Sequence, residues 1–271
     1  MYTARIAGLA CLLLGSAANA NDDGPLEQNA QISLGAFFLD TDTTMRVDGE
    51  TGRGTSVNFG EDLGFRDQDR FRVDGFWRFA ARHKVRFMYF KNTLTAGRTI
   101  DETIEFRDVT YPVNVRLDAE FETEIVEAAY EYAFVRREGF ELAATAGLHL
   151  IRFSAALTGE GTSPGGGGSG RLRSEARGDG PLPVLGLRTL WNIGGDWYLD
   201  AHAQFLAISV DNYDGHVSDY KVAVLWQPLR HVGVGVAYND FRTRLDADEK
   251  RFEGQLRFEY SGPLAFVTVA F

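Results

Sequence analysis

The stretch that decides the fold is Val126-Glu127-Ala128-Ala129-Tyr130-Glu131-Tyr132-Ala133-Phe134, then Arg136-Arg137-Glu138-Gly139, then Phe140-Glu141-Leu142-Ala143-Ala144-Thr145-Ala146-Gly147-Leu148-His149. In the first run Val126, Ala128, Tyr130, Tyr132 and Phe134 share one face, while Glu127 and Glu131 lie on the other. In the last run Phe140, Leu142, Ala144, Ala146 and Leu148 face one way, and Glu141, Thr145 and His149 the other. Successive side chains leave a strand on opposite faces, so this period-two alternation marks two half-buried strands. The four residues between them suit a tight turn, and the whole reads as a β-hairpin with one apolar and one polar face.

The same habit runs outward along the chain. Trp197, Leu199, Ala201, Ala203 and Phe205 alternate with Tyr198, Asp200, His202 and Gln204. Tyr220, Val222, Val224 and Trp226 alternate with Asp219, Lys221 and Ala223. Three further tight turns are expected at Ala81–Lys84, Ile193–Asp196 and Gln227–Arg230. Long polar connections separate them, each with turn chemistry near the midpoint of a long hairpin: Gly49–Gly54, Arg107–Pro112, Pro164–Ser169, Asp211–Gly215 and Asp246–Lys250. Tight turns at one end and long hairpins at the other predict an all-β fold, a closed antiparallel transmembrane β-barrel. The periplasmic turns would be the tight ones and the extracellular hairpins the long ones. Reading Arg251 to Phe271 as one strand, kinked at Gly262-Pro263, gives about ten strands; eight and twelve are the even alternatives. Trp77, Trp191, Trp197 and Trp226 each lie within four residues of a tight turn, on the apolar face. Tryptophan favours the membrane–water boundary, so these four are expected to form an aromatic girdle.

The N-terminus predicts an export signal over 1–20: Arg5, an apolar core from Ile6 to Leu14, and Ala18-Asn19-Ala20, with cleavage between Ala20 and Asn21. That core is too short to span a bilayer as a helix. Residues 21–271 would then be a single barrel domain. The one cysteine, Cys11, leaves with the signal, so the exported chain has no disulfide framework. The formal net charge of −10 argues against a nucleic-acid partner, since phosphate binding needs a basic face.

The C-terminus alternates Val267, Val269 and Phe271 on one face and ends on an aromatic residue. With the signal and the alternating strands, it resembles the small outer-membrane barrel proteins of Gram-negative bacteria. The resemblance implies residence in the outer membrane, and Phe271 as the strand end read by the barrel assembly machinery. It also implies outer-membrane lipid and lipopolysaccharide as neighbours. It names no substrate and no oligomeric state.

The inward faces carry both signs. Arg72, Asp74, Arg78, Arg86, Glu127, Glu131, Glu141, His149, Arg188, Asp200, His202, Asp219 and Lys221 are placed there. Barrels this narrow are filled by their own side chains, so these residues read as a salt-bridged polar core or as the lining of a narrow solute path. The first expectation is therefore a non-enzymatic integral barrel, a structural or surface protein or a narrow passive conduit. The alternative is an outer-membrane enzyme, protease or lipid-modifying, with its site at the extracellular rim. A soluble periplasmic β protein is the reading outside that class.

Particular residues bear on the enzyme alternative. Omptin-family proteases use an Asp pair facing an Asp-x-His pair, and Asp67-Gln68-Asp69 and Asp200-Ala201-His202 are similar in type. Counting along the strands puts these pairs at opposite ends, roughly 20 Å apart at about 3.3 Å per residue. Asp40-Thr41-Asp42 opens like a calcium loop, but Met45 and Thr51 stand where glycine and glutamate are required. The Gly165–Gly168 run has no Gly-Lys-Ser/Thr after it and is no phosphate loop. No catalytic, cofactor or metal site is expected.

Overall fold

The computed structural model describes residues 24–38, 40–48, 54–58, 66–163, 169–210, 213–249 and 252–271. The export signal with its Ala20–Asn21 cleavage point, the turn at 49–53 and the Gly165–Gly168 tip lie outside the described residues.

The chain runs through β1 (Ala30–Phe37), β2 (Asp40–Val47), β3 (Ser56–Asn58), β4 (Arg66–Ala80), β5 (His83–Thr99), β6 (Ile104–Phe106) and β7 (Val109–Tyr111). It continues through β8 (Arg116–Arg137), β9 (Phe140–Thr162), β10 (Ser169–Gly194), β11 (Trp197–Val210), β12 (Tyr213–Leu229), β13 (Val232–Glu249) and β14 (Phe252–Ala270). Neighbours pair antiparallel in the order β1-β4-β5-β8-β9-β10-β11-β12-β13-β14, and β14 pairs back on β1 from Gln31↔Ala270 to Phe37↔Leu264. β2 continues the β1 stave along the same edge of β14, from Ser261↔Asp40 to Gly254↔Val47. Among the described residues the barrel thus closes on ten staves. Closure leaves no stave of the ring with an unpaired edge inside the bilayer.

Hairpin symmetry is close to what the sequence dictates. The β5–β8 ladder runs from His83↔Tyr132 to Thr99↔Arg116. Its midpoint is Arg107-Asp108, the turn of the small β6–β7 hairpin. Three expectations shift. The last periplasmic turn is Arg230-His231, not Gln227–Arg230. Gln227 and Pro228 together oppose Gly233 in a bulge, which lets β12 continue past a proline that cannot donate to the ladder. Asp246–Glu249 are not a hairpin tip, because the β13–β14 ladder extends to Glu249↔Phe252. And β14 stays in register with β13 through Gly262-Pro263, while the break falls in its other neighbour, at 38–39.

Near the tight turns the outer face is apolar. Leu34, Leu185, Val222 and Val236 are each more than half exposed, which is sustainable only against lipid. Trp77, Trp191, Trp197 and Trp226 are all exposed at the periplasmic border. Trp197 and Trp226 are cross-strand partners, with rings stacked 5.9 Å apart. Phe71, Phe205, Tyr220 and Tyr238 are exposed farther up the same face and, with the half-buried Tyr89, form a second aromatic band.

Farther out, both faces invert. On β8 the outer face passes from Val126 to Glu124, Glu122 and Glu120, and the inner face from Glu127 to Ile125, Phe121 and Leu117. The inner faces of the extended arms build an apolar core of Phe37, Met45, Phe90, Leu94, Phe121, Ile151, Phe153, Phe241, Phe258 and Tyr260. Above the lipid, then, the barrel wall is an ordinary water-facing sheet with a hydrophobic interior. The polar lumen expected from the sequence is thus confined to the part of the barrel below the outer arms, whose interior is apolar.

Candidate functional site

The inward charges sit in three tiers. At the periplasmic end, Arg78 Nη1 lies 2.9 Å from Glu141 Oε2, and Lys84 pairs with the other oxygen of the same carboxylate. Both cations come from the β4–β5 hairpin and Glu141 from the start of β9, so this tier ties three strands together just above the turns. The chain before β1 turns back beneath it. Arg78 donates to the carbonyls of Leu26 (2.9 Å) and Gln28 (3.3 Å), and Arg136 to that of Leu26 (3.0 Å). Leu26 packs with Leu190, Tyr198 and Leu225, which fills the periplasmic mouth.

The middle tier is a bidentate pair. Arg72 Nε donates to Asp74 Oδ2 (2.8 Å) and Nη2 to Oδ1 (2.9 Å), and Lys221 Nζ adds 3.1 Å to the same carboxylate. Beside it Arg188 pairs with Asp200, and Arg86 reaches Glu131 at 3.3 Å. A cavity of about 40 Å³ lies between Asp74, Lys84, Arg86, Arg188, Asp200 and Lys221. At roughly 10–15 Å³ per water it has room for about three waters.

The upper tier is Glu127 on β8, His149 on β9, His202 on β11 and Asp219 on β12, all deeply buried. Glu127 Oε2 is 3.5 Å from His149 Nε2, and Asp219 Oδ2 is 3.4 Å from His202 Nε2. Gln204 Nε2 donates to Glu127 Oε1 (2.7 Å) and Asn239 Nδ2 to Asp219 Oδ1 (2.6 Å). Arg72 Nη1 donates in turn to Asn239 Oδ1, linking this tier to the one below. Directly above, Phe37, Phe90 and Phe241 crowd the Tyr260 ring at 5.8, 4.8 and 5.0 Å. The outer mouth is covered by β6–β7, where Tyr111 Oη donates to the Leu157 carbonyl (3.0 Å).

All thirteen residues assigned to the inner face, from Arg72 to Lys221, have their side chains in these tiers. The sequence reading left out Lys84, Gln204, Asn239 and the 24–28 segment. Lys84 was absorbed into a turn, yet the register Arg78↔Lys84 puts it inside; Gln204 shares the parity of Asp200 and His202 on its own strand, whereas Asn239 lies on a strand with no assigned residue and is brought in by its register with Lys221. Asp200 and His202 do not meet the Asp67–Asp69 segment. Asp200 is held by Arg188 four residues above the Gly195-Asp196 turn, whereas Asp67 pairs with Leu94 near the outer end of β4. The side chains of Asp67 and Asp69 lie outside the described residues.

No known family profile matches this chain, and no curated protein matches it. Among solved structures, the outer membrane protease OmpT from Escherichia coli is similar over 89% of this chain and 96% of that one, at 13% identity and TM-score 0.56. The attachment invasion locus protein Ail of Yersinia pestis (10% identity; 90% and 99% covered; TM-score 0.31) and the toluene transporter TodX of Pseudomonas putida (8%; 91% and 92%; 0.38) are also similar. At 13% identity the likeness to OmpT speaks to fold alone. With its closed ten-stave ring and lipid-facing apolar belt, the chain is an integral outer-membrane β-barrel.

Proposed function

We propose that this barrel is a non-enzymatic structural and surface protein whose lumen is sealed. The observation that carries the reading is the continuous filling of the interior: Leu26 and its neighbours at the periplasmic mouth, three ion-pair tiers, then the aromatic core under β6–β7. An open channel generally needs sixteen or more strands, and ten leave no room once these side chains are in place. Planar-bilayer recording of the purified barrel tests it. Stable unitary steps above the lipid baseline would support the narrow conduit instead.

The enzyme alternative draws on OmpT, a protease with the same fold. Here Asp200 is ion-paired with Arg188 and His202 is turned into the lumen two residues farther up the strand, which favours a structural role. For partners we propose lipopolysaccharide around the wall just above the upper aromatic band. Arg242, Arg244 and Arg257 project outward there, each beside a carboxylate, Asp240, Asp246 and Glu259. Arginine forks suit the phosphates of that lipid, and the carboxylates suit divalent ions shared with it. The barrel assembly machinery is the proposed partner of the Phe271 strand end.

A further inference from the structure

We propose that Glu127, His149, His202 and Asp219 form a zinc-type metal site that staples β8, β9, β11 and β12 across the lumen. Donor atoms of Glu127, His149 and Asp219 all lie within 4.8 Å of one another, and His202 Nε2 stands 3.4 Å from the free oxygen of Asp219. Zinc binds nitrogen and oxygen at about 2.0–2.2 Å in a tetrahedron, which puts neighbouring donors about 3.4 Å apart. The two His–carboxylate separations, 3.5 and 3.4 Å, match that spacing and exceed an ordinary N–H···O bond.

A second, independent observation points to a ligand. Both ring nitrogens of His149, Nε2 of His202 and Oδ2 of Asp219 are buried without a hydrogen-bond partner. Such orphaned groups cost on the order of 1–3 kcal/mol each. Among the described residues, neither Glu127 nor Asp219 has a lysine or arginine at ion-pair distance, unlike every carboxylate of the two tiers below. The far oxygens of both are already fixed by Gln204 and Asn239. That is how outer-shell partners orient metal ligands, leaving one oxygen of each carboxylate aimed at the cluster. Two carboxylates and two neutral imidazoles carry a charge of −2, matched to a divalent ion. Glu127, His149 and Asp219 form the donor group and His202, beside Asp219, turns in to complete four protein donors, so the metal's role is structural and independent of whether the lumen conducts.

The test is to fold the chain in detergent micelles with Zn²⁺ or Co²⁺ alone, desalt it over a chelating resin, and measure retained metal. One equivalent per chain is expected, with the visible absorption of tetrahedral Co²⁺. His149→Gln and Glu127→Gln should each lower retention more than tenfold, while His216→Gln, on the outer wall, leaves it unchanged. If the variants do not fold, X-ray absorption at the zinc edge of the unaltered chain decides; about two imidazoles and two oxygens near 2.0 Å are expected. Less than a tenth of an equivalent in the folded chain would overturn the site and leave two buried His–carboxylate contacts. So would retention untouched by both substitutions, or an absorption spectrum dominated by water ligands.

Discussion

At the residue scale the most consequential group is Arg72. Its guanidinium is 1% exposed and holds Asp74 in a fork while reaching Asn239 on the far wall. Burying two charges is costly, and their attraction repays that cost only while the geometry is complete. Arg72→Met therefore leaves a buried carboxylate with Lys221 as its single partner. We expect a loss of about 3–5 kcal/mol, read from the urea midpoint of the heat-modifiable band in detergent. Arg72→Lys should recover only part of it, because an ammonium cannot make the bidentate contact. A loss below about 1 kcal/mol, in the range of an exposed pair, would mean that the tier is hydrated. The parity of each strand made most of these partners legible in the sequence. Which cation meets which carboxylate was not, because Arg78 and Glu141 are 63 residues apart and meet only through the register of β4, β5, β8 and β9.

At the element scale the informative feature is a slip in period. On β5, β8 and β9 the apolar stripe changes parity at Tyr89-Phe90, Ile125-Val126 and Leu150-Ile151. These three dipeptides lie side by side: Tyr89↔Val126, Phe90↔Ile125, Val126↔Leu150 and Ile125↔Ile151. Each marks where a strand leaves lipid for water, since the apolar side must face out below that line and in above it. Two outward positions on β12 test the boundary. Val224→Arg lies in the apolar band and should cost about 2–4 kcal/mol. Ser218→Arg, on the same face six residues farther out, should change stability by less than about 0.5 kcal/mol. Equal costs at the two sites would place the boundary elsewhere. Orientation is tested by cysteine labelling. Ser169→Cys, at the outer end of β10, should react with a membrane-impermeant maleimide in whole cells. Glu138→Cys, in the β8–β9 turn, should react only after the outer membrane is opened. The reverse pattern would invert the barrel.

At the scale of the whole molecule, the seal has parts with different chemistry. The aromatic layer is held by burial and ring packing: Phe121, fully buried, meets the Phe258 ring at a tilt with centroids 6.0 Å apart, and that ring meets Phe241 at 6.4 Å, also tilted. Phe121→Ala is expected to cost about 3–5 kcal/mol and still leave the barrel non-conducting, because the ion-pair tiers remain. A barrel that begins to conduct on this one change would show that the aromatic layer alone forms the seal. Removing residues 24–28 strips the Leu26 and Gln28 carbonyls from Arg78 and should lower the unfolding midpoint without opening the lumen.

The sequence by itself determined the class of fold, the strands, which face each strand shows to lipid, and the positions of most of the tight turns. These are local properties, written in period-two alternation and in turn chemistry a few residues long. It also held the parity slips of β5, β8 and β9, although a search for one unbroken polar face passes over them. Only the tertiary structure decided that the interior is two layers, that the chain before β1 closes the periplasmic mouth, and that Glu127, His149, His202 and Asp219 from four strands meet in one tier. Those outcomes depend on ladder register and on closure of β14 against β1 and β2. Closure is one global condition on all ten staves, so no window of sequence contains it.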